Sequence, residues 1–390
     1  MLPDERNKAS VAVLGAGCAG LSLAAQLASS TEHDCRLMLV EPRPQNSRKD
    51  HCWGFWAVDG LEKPAAMARK QWQNWRIIDE KGEYRQQSTR YPYTALESKA
   101  WLSSCRSLAK ARGITIHQSA ISKLEQQKTD GRWALQLADG HQSQHNRIID
   151  SRPPVVRQGA MLQHFLGLEL RTLEPVFEPE IVTLMDFRCD QQRGIHFIYV
   201  LPWSADHALV ESTLFSPQTE PSSFYENAIT NYLAETLGAS RWSVLRREAG
   251  VIPMADQGRD LSRHDPRLPG LGGNGGAIRP SSGYAFGFIQ EQIRRMLDAT
   301  TDPANDAWMQ PQNPHRILDR RMDRVLLDVL QHRPNIAPRL FTALGRCLNG
   351  DDMALFLSGQ ADHGIRRRVI MAMPPMPFIL SALAGSWRLQ

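Results

Sequence analysis

The chain has 390 residues, 42% hydrophobic and 22% charged, long enough to bury a sizeable core and to form two or three subdomains. A net charge of +5 with no aromatics interleaved among the basic residues argues against nucleic acid as a partner and suits an anionic membrane surface. Six scattered cysteines with no CxxC pair argue against a disulfide framework or a metal site and fit a reducing cytoplasm, and the polar opening MLPDERNKAS does not read as a secretory signal.

The run SVAVLGAGCAGLSLAAQLASS reads as strand, tight turn and helix. The strand is Val11 to Leu14, and the helix packs through Leu21, Leu23, Ala24 and Leu27. Between them Gly15 permits the turn, Gly17 lets backbone approach a pyrophosphate, and Gly20 lets the helix lie close to the strand. Alone, GxGxxG is a weak signal. Here it follows a strand, opens a helix and precedes a second strand, CRLMLVEP, whose Glu41 is placed to bind a ribose hydroxyl. Glu41 disfavours a 2′-phosphate, which leaves FAD or NAD. The N-terminal placement, with no repeated βαβ pattern after it, favours FAD.

HCWGFW, residues 51 to 56, is an aromatic cluster: a core feature, or a lining of Trp53, Phe55 and Trp56 near a flavin or a substrate tunnel. Further on, Ile114 to His117 reads as a strand, Asp130-Gly131 as a hairpin turn, and RIID as a strand closing the sheet. FIYVLPW, 197 to 203, reads as a sheet strand that offers Tyr199 and Trp203 to the same tunnel. HALVESTLF, 207 to 215, is another strand, on which Leu209, Glu211, Thr213 and Phe215 share a face. A carboxylate in that row either faces solvent or is buried for a reason, and burial would favour its protonated form. The stretch from Leu268 is a glycine-rich loop followed by Pro280 and a helical spacing, with Ser281 or Ser282 as the expected N-cap.

Taken together, GAGCAGL, HCWGFW, IIDSRP at 148 to 153, MDF at 185 to 187, HALVESTLF and RPSSGYAF at 279 to 286 resemble the lycopene β-cyclase family, in that family's order. The resemblance implies an FAD oxidoreductase fold that catalyses a cyclisation without net redox change. It implies lycopene or a similar linear carotenoid as substrate, FAD in its reduced form as cofactor, and NAD(P)H as a candidate reductant. Glu211 matches the acid of a segment in which a Glu is essential; this chain reads VEST, with Ser212 in place of a second acid. Asp186 of MDF matches another acid of the family, giving Glu211 and Asp186 as the expected catalytic pair. The implied cofactor contacts are Gly15, Gly17, Ala19, Gly20, Glu41, Asp150, Gly273, Asn274, Pro280 and Gly283. Pro153 departs from the Asp-x-Arg-Gly usual at this place.

Near the end, three arginines (366 to 368) precede a mostly apolar stretch to Trp387. Pro374, Pro375 and Pro377 argue against a membrane span, which leaves a surface-dipping segment or an internal helix pair. The expected architecture is α/β: a Rossmann-like FAD domain from 1–60, 95–155 and 265–300, an antiparallel-sheet substrate domain from 60–95 and 155–265, and a helical region over 300–390. The expected place is the cytoplasmic face of the cell membrane. The competing readings are an FAD-dependent monooxygenase or halogenase acting on a hydrophobic substrate, and a non-catalytic carotenoid- or flavin-binding protein that would not need Glu211.

Overall fold

The computed structural model describes residues 9–30, 35–44, 47–256, 260–299 and 310–387; the polar opening and the start of the C-terminal region lie outside the described residues. The strand Ala9–Leu14 sits inside a four-stranded parallel sheet, between Arg147–Asp150 and Cys35–Val40, with Thr115–His117 at the far edge. Its alternation is used on both faces. Val11 and Val13 belong to the main core with helices Cys18–Ser29, Ser98–Ala111 and Phe286–Asp298, whereas Ala12 and Leu14 pack on Trp133, Leu135 and Leu137. Those last residues lie on an antiparallel meander, Ile121–Gln126, Trp133–Leu137 and Gln142–His145, whose first turn passes through Gly131 at φ 73°.

A second, seven-stranded sheet runs in the order Trp242–Pro253, Leu162–Thr172, His207–Ser216, Ile195–Pro202, Ile181–Asp186, Asn74–Asp79 and Gly82–Gln87. It is antiparallel except where Ile181–Asp186 runs parallel to Asn74–Asp79. One face is covered by the helix Ser222–Asn231, against Leu166, Leu168, Val210 and Leu214. The other carries Leu209, Phe197 and Phe215 into the main core. A small sheet, Cys52–Trp56, Tyr93–Glu97 and Lys70–Trp72, joins the two large ones.

The helix after Pro280 begins only at Phe286; its N-cap is Ala285, without a side-chain cap. Ser281 instead donates to Asp323 Oδ1 at 2.6 Å, beside the buried Arg279–Asp323 pair, so the hydroxyl is used to dock the C-terminal helices. In the C-terminal region the apolar stretch is split into His363–Ala372 and Pro375–Trp387. Met373 is extended at φ −81°, ψ 144°, as a residue before proline prefers, and Pro375 opens the next helix where no N–H is needed. Among the described residues no helix is long and apolar enough to cross a membrane. Of the three arginines, Arg366 is buried and binds Asp319 Oδ1 at 2.6 Å.

Candidate active site

The turn between the first strand and helix is shaped for an anionic group. Gly15 has φ +108°, and a Cβ on Gly20 would lie 2.2 Å from Gly15 O, so only glycine permits the close crossing. The helix starts at Cys18 without a side-chain cap on Gly17 and without an acid in its first turn, leaving its N–H groups for a ligand. Above Gly17 stands Arg48, whose half-buried guanidinium pairs with Glu41 while its buried Nε has no partner among the described residues. Ala16 N–H donates to Glu41 Oε2 at 3.2 Å and Arg43 Nε donates to Oε1 at 3.1 Å. Burial would raise the Glu41 carboxyl, but Arg48 and these donors hold it below its usual range. Free N–H groups, a cation with an unused donor, and an acid at the end of the second strand fit the diphosphate and ribose of FAD.

The other expected cofactor residues fall around this turn with differing roles. Gly272 (φ +66°) would place a Cβ 2.6 Å from Ala19, so the Gly272–Gly275 turn leans directly on the first helix. Asn274 donates through Nδ2 to Asp150 O at 3.1 Å, and Leu271 N–H donates to the same oxygen at 2.9 Å. The Asp150 carboxylate is wholly buried and taken up by Arg152, at 2.8 and 2.7 Å. Asp150 therefore ties the parallel sheet to the glycine turn. Gly273 and Pro280 line a small cleft beside His315, while Gly283 lines the large cavity described next.

That cavity, about 460 Å³, reaches from Cys18 and Phe286, at the starts of two helices, to Glu211, Thr213 and Phe215 on the seven-stranded sheet. It is mostly apolar and of a size for one end of a long ligand. Trp53 stacks on Phe286 with ring centroids 5.2 Å apart. Tyr199 and Tyr93 share a hydrogen bond of 3.0 Å, in a space that a Cβ on Gly54 would fill at 2.1 Å from Tyr93 Oη. Of the other aromatics, Phe55 tilts against Phe286 over a separate small cleft, and Trp56 is buried behind the wall against Trp75 and Tyr93. Trp203 lies outside the cavity, packed on Trp72 with Arg69 over its ring.

Glu211 faces the cavity from the strand His207–Ser216, opposite Tyr199 on one side and Gly167 on the other. Gly167 is also opposite Glu248, so one glycine separates two carboxyls. A Cβ on Gly167 would lie 2.8 Å from Glu211 Cγ and 3.2 Å from Glu248 Cγ. Glu248 Oε2 accepts from Cys52 N–H at 3.1 Å and pairs with Arg246 at 3.0 Å. Among the described residues no N–H or hydroxyl reaches its buried Oε1; a protonated Glu211 beside it would offer a donor. Burial first, and the neighbouring Glu248 second, push the Glu211 carboxyl well above its ordinary range. Burial also raises Glu248, against Arg246 and the Cys52 N–H. Burial and mutual repulsion favour a proton on the pair, with Glu211 the more strongly raised of the two.

Asp186 is not brought to Glu211. It is buried on the other face of the sheet, where Arg188 binds both its oxygens, at 2.9 and 2.6 Å, and Tyr232 donates to it at 2.9 Å. The strand's register is irregular between Thr183 and Asp186; Leu184 and Met185 line the cavity and Asp186 does not. Alternation alone does not show such a bulge. Sequence reading also missed Glu248, Gly167 and Arg48. The usable signal was RREAGVIP, a strand in which Arg246, Glu248 and Gly250 share a face.

A family model described as lycopene cyclase protein matches residues 10–383. The chain is 25% identical to a lycopene beta-cyclase of Pantoea ananas, over 95% of this chain and 96% of that protein. It is 31% identical to a lycopene beta-cyclase of Pseudescherichia vulneris, over 65% of this chain and 66% of that protein. Among solved structures, a flavoprotein/dehydrogenase from Cytophaga hutchinsonii superposes with TM-score 0.58 at 14% identity, covering 97% of this chain and 100% of that one. A flavin-dependent halogenase from Xanthomonas campestris gives TM-score 0.57 at 12% identity, covering 97% and 88%. At these identities the likeness establishes the fold, that of the FAD-dependent oxidoreductases.

Proposed function

The chain belongs to the lycopene cyclase family, and we propose that it converts the linear ends of lycopene into β-ionone rings by acid–base catalysis at Glu211. The supporting observation is a buried carboxyl, Glu211, facing an apolar cavity that continues to the dinucleotide turn, where burial favours its protonated form. In ring closure a proton adds to the terminal C=C, the neighbouring C=C attacks the tertiary cation, and loss of a ring proton leaves the cyclic alkene. Glu211 has three properties this needs: burial favours its protonated form, it faces the cavity, and it is shielded from water.

FAD would be held by Gly15, Gly17 and Gly20, with Arg48 at its diphosphate and Glu41 at its ribose, and in its reduced form it supplies negative charge beside a cation. The chain's own residues do the rest. Trp53 and Phe286, stacked on each other, line the cavity, and aromatic rings there suit a passing carbocation. Tyr93 and Tyr199 keep their hydroxyl protons because burial raises both phenols, so the wall opposite Glu211 stays neutral. NAD(P)H is the proposed source of electrons for a flavin reduced before turnover and not consumed by it.

The substrate dissolves in lipid and not in water, and the C-terminal helices offer a place to meet it. Ile370, Met371, Met376 and Ile379 are more than half exposed, with Met371 at 76%, and Arg339 and Arg346 line a neighbouring cleft. We place a peripheral contact with an anionic, cytoplasmic membrane face there. The test of the function is anaerobic incubation of the reduced protein with lycopene in liposomes, followed by chromatography. Cyclic carotenoid should form without proportionate use of NAD(P)H or oxygen. Oxygen uptake matching product would transfer the case to a monooxygenase.

A further inference from the structure

Glu211 stands at the cavity with a second carboxyl behind it. Glu248 is 1% exposed through its side chain and is fixed by Arg246 and the Cys52 N–H. It does not line the cavity, as Glu211 does. Three adjacent strands, with Gly167 in the middle one, hold the two carboxyls side by side.

We infer that Glu248 is a positioning residue that lets one carboxyl, Glu211, serve as both acid and base in ring closure. The inference rests on the function proposed above. On the closed ring, the carbon that received the proton and the carbon that gives one up are both bonded to the carbon of the first cation. They are therefore about 2.5 Å apart by ordinary bond geometry. A carboxyl that reaches the first reaches the second from the same face.

The atoms balance. In the first step the O–H bond of Glu211 breaks, and the electron pair of the terminal C=C forms a C–H bond with that proton. The neighbouring C=C then supplies the pair for the new ring bond. In the last step a ring C–H bond breaks, its electrons become the ring double bond, and the proton returns to Glu211. The carboxyl pair begins and ends with one shared proton, and nothing is oxidised or reduced.

Glu248 matters between these steps. With the proton gone, two carboxylates face each other in an apolar wall, and their repulsion raises the affinity of Glu211 for the ring proton. Arg246 moderates that repulsion from the far side of Glu248 and is itself held by Glu169, which Arg69 and His207 also bind. The other titratable groups around the pair are His51, Cys52, Tyr93 and Tyr199, which line the cavity, and Asp50, which does not.

The test is Glu248→Gln, which keeps size and hydrogen bonding and removes the charge. Glu211 would then release its proton to solvent more readily, so the alkaline limb of the pH–rate profile on lycopene moves down by about one unit or more. The weaker base leaves the ring cation to lose protons from other adjacent carbons, giving a mixture of ring isomers. Flavin content of the folded protein stays at the wild-type value, rates are compared per folded protein, and Glu248→Asp recovers part of the rate. A limb at the wild-type pH with an unmixed β ring overturns the inference. So does a lost rate with an unmoved limb, because that marks Glu248 as structural. If the wild-type chain itself forms no rings, the functional reading fails, whatever Glu248 does.

Discussion

Gly167 lies directly opposite Glu211, and a Cβ there would stand 2.8 Å from Glu211 Cγ. No side chain fits without moving one of the two carboxyls it separates. Gly167→Ala should therefore cost about 1–3 kcal/mol of stability by overpacking and at least about tenfold in cyclisation rate. Flavin binding should persist, since the dinucleotide turn belongs to another sheet. Rate, flavin absorbance and thermal melting, measured on one preparation, separate these effects.

The glycines of the first turn have different reasons to be glycine. A Cβ on Gly17 meets only Arg48, at 3.5 Å, whereas one on Gly20 collides with Gly15 O at 2.2 Å. Gly17→Val should leave the protein folded but strip it of flavin by blocking approach to the diphosphate. Gly20→Ala should lower the melting temperature even without flavin. A fully loaded Gly17→Val protein would contradict the assignment of the turn.

Asp186 makes a contrasting case. Its carboxylate is committed to Arg188 and Tyr232 on the face away from the cavity. Asp186→Asn should destabilise by about 1–3 kcal/mol through a weakened buried charge network, seen as a lower midpoint in urea. Cyclisation by the folded fraction should stay within about threefold of wild type, against at least about 10²-fold lost with the proton donor.

These contrasts mark what the sequence carries. The parallel sheet and its turn were legible because period, glycine spacing and Glu41 all fall within one short stretch. The row Leu209, Glu211, Thr213 and Phe215 was legible because a regular strand alternates. The partner of Glu211 was not, since Gly167 and Glu248 lie 44 and 37 positions away and meet it only through strand order. The place of Asp186 on the other face was not legible for a related reason: a register irregularity is a property of the pairing and leaves no mark in MDF. The late start of the helix at Phe286 followed from Ser281 serving Asp323, a partner in the distant C-terminal region.

His315 gives a prediction about acid. Burial, and then the positive charge of Arg279, lower it from 6.5 to about 3. The folded protein keeps it neutral while the unfolded chain takes up a proton as pH falls below its ordinary value. Stability is present above that value and is lost on descent from about pH 6.5 to about pH 3. His315→Gln should flatten this loss by up to about 1.4 kcal/mol per pH unit. Denaturant titrations of both proteins across the window would show it, and parallel curves would contradict it.

The account turns on the proton of Glu211. Glu211→Gln keeps the shape of the side chain and its place beside Glu248 but has no proton to give. The decisive measurement is the rate of ring formation from lycopene in liposomes by flavin-loaded, anaerobically reduced wild-type, Glu211→Gln and Glu211→Asp proteins. The account predicts a loss of at least about 10²-fold for Gln, with flavin content and melting unchanged, and partial activity for Asp, whose acid is withdrawn by one methylene. A Glu211→Gln protein that forms rings at the wild-type rate would contradict it.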